Sequence, residues 1–518
     1  MKKNILYIAV SSAMLLASCD DFLNTMPDNR AEIDTESKIT SLLVSAYPSS
    51  TDIVMTEMAS DNAMDNGSRF TVEMQEHEDA YLWKDITNDG NDSPKSYWDA
   101  CYAAIAAANQ ALSAIDEMGN PEKLRAQRGE ALICRAYGHF ALANVFCLPY
   151  NPETAEQDMG IPYSEAPETE VSPEYSRGSM KELYEKINAD IEEGLPLIND
   201  EIYSIPKYHF NKKAAHAFAA RFNLYYHNYD KTIQYANIVL GSTPDKMMKN
   251  WNNIVMNTAS NWDLRVDLYI SASEPSNLLM TPVSSSWGYW VGPYNLGKRY
   301  GHAKVICTQE TGRVPNSMWG TYSNLLPFRN MWGFDEKMVV TKVGGYFQYT
   351  DKVNGIGYRK NVIVIFSADE TLLCRAEAYA LKGAAFLDKA TEDINIWLAS
   401  HTLGGLQVTT QEIADFYGAI PCMPLDNSTR SVKKEINPRG FTVTEGNQKE
   451  VIQCILHLRR IETIHEGLRW QDIKRYGIEI SHNREGLSND ILRVDDPRRA
   501  LQLPQDVINA GLKANPRN

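Results

Sequence analysis

The chain lacks the features that would make it a disulfide scaffold, a metal enzyme or a nucleic-acid binder. Its eight cysteines in 518 residues are widely spaced, with no Cys-x-x-Cys pair. Neither a disulfide framework nor a zinc knuckle is specified. Cys101, Cys134 and Cys374 lie among alanines and leucines in helical patterns, which suits small buried hydrophobes. Positive charge is short: 51 Lys+Arg against 66 Asp+Glu leave a formal charge of −15. A general nucleic-acid binder needs a cationic field to meet phosphates, so that class is excluded. Catalytic signatures are missing as well. There is no GxSxG elbow, no GxxxxGK[ST] loop and no GxGxxG. His465-Glu466 has no second histidine, and the ten histidines form no tight metal pair. No cofactor and no metal are expected, and the chain is expected not to be an enzyme. A glycosidase needs only two suitably spaced carboxylates, so a tethered hydrolase stays as an alternative class.

What is present begins at the N-terminus. Lys2 and Lys3 precede an apolar run from Ile5 to Ala17, followed by Ser18 and Cys19. A short cationic start and an apolar stretch of roughly 7–15 residues read as a secretory leader over residues 1–18. The run is too short to span a bilayer, and no later stretch is long and apolar enough to do so. Small residues before Cys19 resemble a bacterial lipoprotein box, in which that cysteine is lipidated and anchors the mature chain.

Hydrophobic residues make up 43% and charged residues 23% of the chain, which are globular values. Helical periodicity predicts three helix pairs: from Trp98 to Leu148 with a break at Asn120-Pro121, over Lys212–Leu240 with a turn near Tyr229, and over Ala368–Ser400 with a turn near Gly383. Ala219-x-x-Phe222 and Ala376-x-x-Tyr379 give the second and third pairs a loose tetratricopeptide-like pattern. The fold class is therefore mostly α, a scaffold of tetratricopeptide-like helix pairs. An irregular, loop-rich remainder has short strands such as Lys337–Val343 and Lys360–Phe366. Residues 19–240 and 241–518 form two segments of one compact unit. Aromatics reach 10%, with 27 Tyr against 14 Phe. Many tryptophans fall in Gly/Asn/Ser-rich stretches, where long loops are usually functional.

Several blocks then carry a family resemblance. Cys19-Asp20-Asp21-Phe22-Leu23, Trp98-x-x-x-Tyr102, Gly129-Glu130-Ala131, Gly160-Ile161-Pro162-Tyr163 and Ala376-Glu377-Ala378-Tyr379 contribute to it. So does Arg459-Arg460-Ile461-Glu462 through Glu466-Gly467-x-Arg469-Trp470-x-Asp472 to Gly477. Together they resemble the SusD/RagB nutrient-binding lipoproteins, with Thr463, His465 and Tyr476 departing from the usual residues. The resemblance implies a lipid-anchored protein on the outer leaflet of the outer membrane. It would cap a SusC-type TonB-dependent transporter and deliver glycan or, in some members, peptide. Asp20-Asp21 is similar to the surface-export signal of such lipoproteins. The Arg-rich block itself reads as structural, its charges pairing at three- and four-residue spacing along a helix.

Sugars present apolar faces and dense hydroxyls, so a binding site needs aromatic platforms beside bidentate polar groups. Two stretches supply them. Asp61, Arg69, Trp83 and Asn88 precede the first long helix and resemble part of the starch site in the family's founding member. Trp287, Tyr289 and Trp290 form a second aromatic set flanked by serine and glycine.

Overall fold

The computed structural model describes residues 33–517 apart from 73, 169–174, 259–260, 292–298, 330 and 335. The expected leader, Cys19 and Asp20-Asp21 lie outside the described residues. A short helix α1 (Glu36–Leu43) leads to the first long pair, α2 (Pro94–Glu117) and α3 (Arg125–Phe146). Ser93 caps α2 by accepting from Ser96 N, and Pro94 occupies the first turn, where a missing N–H costs nothing. Gly138 lets α3 approach α2 closely, because a Cβ there would stand 2.7 Å from Ile105 Cγ1. Next come α4 (Met180–Gly194), the pair α5 (Lys212–Tyr225) and α6 (Tyr229–Leu240), and the pair α7 (Ala368–Leu381) and α8 (Leu387–His401). The predicted pairs and turns therefore stand where periodicity placed them. Each helix packs on the next, and α6 on α7 joins the second pair to the third across 127 intervening residues.

Cys101, Cys134 and Cys374 are fully buried in the main apolar core, which draws on residues from Ile39 to Leu512. Burying each large apolar side chain there contributes roughly 1.5–3 kcal/mol. Three further helices close the scaffold: α9 (Thr410–Gly418), α10 (Asn447–Glu462), which packs on both α7 and α9, and α11 (Arg469–Arg475).

The Arg-rich block corrects one expectation. Its charges do not pair mainly along their own helix; they reach across the fold in the dry interior. Arg459 meets Asp472 at 3.1 Å and Glu370 at 3.4 Å, while Arg475 joins Glu377. Arg460 lies 3.3 Å from Glu310, and Lys342 3.1 Å from Glu466. Arg475–Asp472, at 3.4 Å, is an ion pair within α11. The reason is the turn after Glu462: Gly467 adopts φ +79°, ending one helix and re-aiming the next.

The loop-rich part is built on a three-stranded antiparallel sheet, β1 (Asn277–Ser284), β2 (Tyr346–Asp351) and β3 (Ile356–Ser367), ordered β1–β3–β2. The strand predicted over Lys360–Phe366 is thus longer, and Lys337–Val339 is a two-stranded ribbon with Trp332–Phe334. Ser367 ends β3 and caps α7 by accepting from Glu370 N, which fixes the sheet to the scaffold. A second apolar core, including Val54, Tyr81, Trp287, Trp290, Tyr300 and Ile363, supports this part.

Candidate functional site

Four of the predicted site residues turn inward. Asp61 is buried, accepting from Arg469 at 2.8 and 3.0 Å and lying 3.4 Å from Arg460. Burial alone would raise its pKa, but these guanidinium groups and Lys434 hold it well below the usual carboxylate range. Trp83 is 7% exposed; its indole donates to Ala59 O at 2.8 Å and its ring stacks on His482 at 4.2 Å. Trp287 donates to His465 O at 2.9 Å, and Trp290 meets His77 edge-on at 5.2 Å. All four are buried and anchor the surrounding loops. A long loop needs apolar mass beneath it, and these side chains supply it. Asn88 is half-buried and donates to Glu76 at 2.7 Å.

Tyr289 and Arg69 remain at the surface. Trp287 and Trp290 pin the short helical turn Trp287–Trp290, and Gly288 packs so closely on Gly344 that a Cβ would come within 2.2 Å of its carbonyl oxygen. That leaves Tyr289 half-exposed, with the Arg359 guanidinium 4.8 Å over its ring. In the hairpin register Phe347 stands opposite Arg359 and Tyr349 opposite Gly357. Alternation along a strand puts Phe347, Tyr349 and Arg359 on one sheet face. The two rings lie 4.9 Å apart at 69° and are 41% and 52% exposed. Tyr289, Arg359, Phe347 and Tyr349 thus form one solvent-open aromatic face with a cation in its middle.

Arg69 borders a separate cleft of about 430 Å³ between Asp65, Asn66, Ser68, Val305, Glu336 and Glu485. It pairs with Glu336 at 2.9 Å where both are exposed, while Arg299 clamps Asp65 at 2.7 and 2.8 Å. Asn66 Nδ2 has no hydrogen-bond partner among the described residues. The cleft therefore offers carboxylates and a guanidinium, a set that suits hydroxyl groups.

Two other features are weaker candidates. Asp369, His401 and Glu462 bring three possible metal-ligating atoms within 4.8 Å of one another, all buried. Their carboxylates already have internal partners: Trp397 Nε1 donates to Glu462 at 2.9 Å and Lys249 N to Asp369 at 3.1 Å. A larger cavity of about 600 Å³ lies on the scaffold between Trp98, Tyr102, Pro162, Tyr175 and Leu512. Its wall is mostly apolar, and the Tyr102 hydroxyl is committed to Pro162 O at 2.7 Å. It suits a hydroxyl-dense ligand less well than the aromatic face and cleft.

Comparison with known proteins agrees with this architecture. Residues 21–224 match a SusD-like family model described as "Starch-binding associating with outer membrane". A SusD superfamily protein from Bacteroides vulgatus ATCC 8482 superposes with a TM-score of 0.64 at 18% identity, covering 94% of this chain and 99% of its own. The chain has a SusD-like fold. Its sequence matches the SusD/RagB family over residues 21–224, and its described body has the family's fold. A SusD superfamily protein from Bacteroides thetaiotaomicron VPI-5482 gives 0.61 at 16% identity, covering 93% and 99%. A laminarin-binding SusD-like protein gives 0.53 at 16%, also covering 93% and 99%. No curated protein matches the chain.

The SusD-like body explains which residues sequence reasoning missed. Phe347, Tyr349 and Arg359 carry no motif. The available signal was Tyr346-Phe347-Gln348-Tyr349, which places aromatics on both faces of one strand. A strand with one buried face alternates with polar residues, so at least one set of those rings had to be open.

Proposed function

We propose that this SusD-like chain is a non-catalytic glycan-binding protein of the cell surface. It captures oligosaccharide on the Tyr289–Arg359–Phe347–Tyr349 face, with the cleft beside Arg69 as a polar neighbour, and passes it to a SusC-type TonB-dependent transporter. Cys19, lipidated after removal of residues 1–18, would tether it to the outer membrane.

The observation that carries this reading is where aromatic rings meet water. Phe347 and Tyr349 are exposed side by side on one face of a single hairpin, with Tyr346 and Tyr358 exposed on its other face, while no described tryptophan side chain is exposed. Exposed rings in one patch mark a recognition surface, and the apolar face of a pyranose stacks on such rings. Laminarin binding by a protein of the same fold is in line with it. A peptide reading has one supporting feature: β2 is the sheet's edge strand and could pair with an extended chain.

The test is retention on immobilised glycans followed by analysis of the eluate. Binding without sugar release, lost in the Phe347→Ala/Tyr349→Ala double variant, is the expected outcome. Released sugars would establish a hydrolase instead. Retention of unstructured peptides in place of glycans would favour the edge strand.

A further inference from the structure

Arg359 holds a position that a neutral glycan does not require. The protein carries a net charge of −15, yet among the described residues no carboxylate lies within ion-pair distance of this exposed guanidinium. Its hydrogen bond is a long one, 3.4 Å to Ser286 Oγ. The acid whose charge it feels, Asp92, is buried below and committed elsewhere. It accepts from Ser285 Oγ at 2.5 Å and Ser286 N at 2.8 Å. Arg359 is instead held by rings, 4.8 Å from the Tyr289 centroid and 5.7 Å from that of Trp290. Stacking of this kind orients a guanidinium while leaving its edge N–H donors free.

The surrounding hairpin has the same sign. Between Tyr346 and Lys360 it carries Lys352, Arg359 and Lys360 against Asp351 alone. Asp351 is consumed by the turn, accepting from Val353 N at 2.9 Å and Asn354 Nδ2 at 2.6 Å. Lys360 reaches Gln348 at 2.8 Å, not a carboxylate. Screening confines electrostatics to about 8 Å at physiological salt. Lys360 stands in register with Tyr346 on the other face, so a ligand on this face meets Arg359 rather than the distant negative excess.

We infer that the aromatic face selects anionic glycans, with Arg359 gripping a carboxylate or sulfate while Phe347 and Tyr349 take the sugar ring. The inference rests on the glycan reading above and narrows its substrate class. Guanidinium forms bidentate bonds to carboxylates and oxyanions, and a cation set between two platforms places the anionic substituent beside a stacked ring. Uronic acids and sulfated sugars share that chemistry.

The test uses the soluble chain from residue 20 and three ligand arms: a polyuronate, a sulfated galactan and neutral β-glucan or starch. At low salt the expected result is about tenfold tighter binding to one anionic arm than to the neutral arm, the scale of one charge-assisted contact. Raising NaCl should erode that advantage, and Arg359→Gln should bring the ratio near one, with Arg359→Lys in between. Which anionic arm responds names the source of the charge. Equal affinity for neutral and anionic arms, unchanged in Arg359→Gln, would overturn this inference and leave the glycan reading standing. Retention of none of the three would overturn both.

Discussion

Asp61 and Arg469 form a two-point ion pair away from water, with Nε 2.8 Å from Oδ1 and Nη2 3.0 Å from Oδ2. The pair ties the end of the N-terminal loop region to α11, 408 residues later. Asp61→Ala would leave Arg469 charged, buried and without its carboxylate, and would take from Arg460 one of its two, leaving Glu310. The expected cost is roughly 3–5 kcal/mol of folding stability, measured by urea unfolding. Glycan affinity at a temperature where the variant is folded should be unchanged. Intact stability with lost binding would return Asp61 to the ligand.

Trp83 and Trp290 give the matching prediction for aromatics. Both are 7% exposed and packed on histidine rings. Trp83→Ala removes a stacked ring and the bond to Ala59 O, a loss of about 3–5 kcal/mol. Phe347→Ala, at an open position, should change stability by no more than about 0.5 kcal/mol. Differential scanning calorimetry on both variants separates anchor from platform.

Glu57 introduces a pH dependence. It is buried, accepts from Gly467 N at 3.0 Å, and desolvation raises its pKa to about 7 from 4.5. The folded state therefore binds a proton that the unfolded state releases. The stability this contributes is fully present below about pH 4.5 and lost as pH rises through about 7, on the order of 3 kcal/mol in total. Glu57→Gln keeps an acceptor for Gly467 N but cannot ionise. The difference in Tm between Glu57→Gln and the unmodified chain should grow in the variant's favour from pH 5 to pH 8. A flat difference would mean that Glu57 ionises normally.

Much of the scaffold was legible because helix pairs announce themselves locally. Alanine at close-approach positions, Asn120-Pro121 as a break and Gly383 as a turn are all read within one window of sequence. The site was less legible because exposure is a tertiary property. Trp287 and Tyr289 are two residues apart in one Gly/Ser-rich loop, yet one is buried in the second apolar core and the other is half-exposed. Asp61 and Arg69 have the residue types a sugar needs, but Asp61 is drawn into buried ion pairs while the Arg69 pair with Glu336 stays at the surface. The Arg-rich block read as charges paired along one helix because the partners of Arg459 and Arg460, such as Glu370 and Glu310, lie 89 and 150 positions earlier.

Gly467 offers a sharper probe of that interior. Its φ of +79° is left-handed, and an added Cβ would stand 2.4 Å from Thr56 Oγ1. The hydroxyl cannot retreat freely, because it donates to Asp52 O at 3.0 Å inside the core. Gly467→Ala should therefore lose stability for two separable reasons. The left-handed backbone costs an alanine roughly 1–2 kcal/mol, and the clash with Thr56 adds to it. Thr56→Ala removes the clash but not the backbone strain. In a double-mutant cycle the pair should show a favourable coupling of about 0.5–3 kcal/mol, with the backbone penalty persisting in the double variant. Strict additivity by urea unfolding would show that the turn yields at another point, and that Thr56 does not fix where α11 begins.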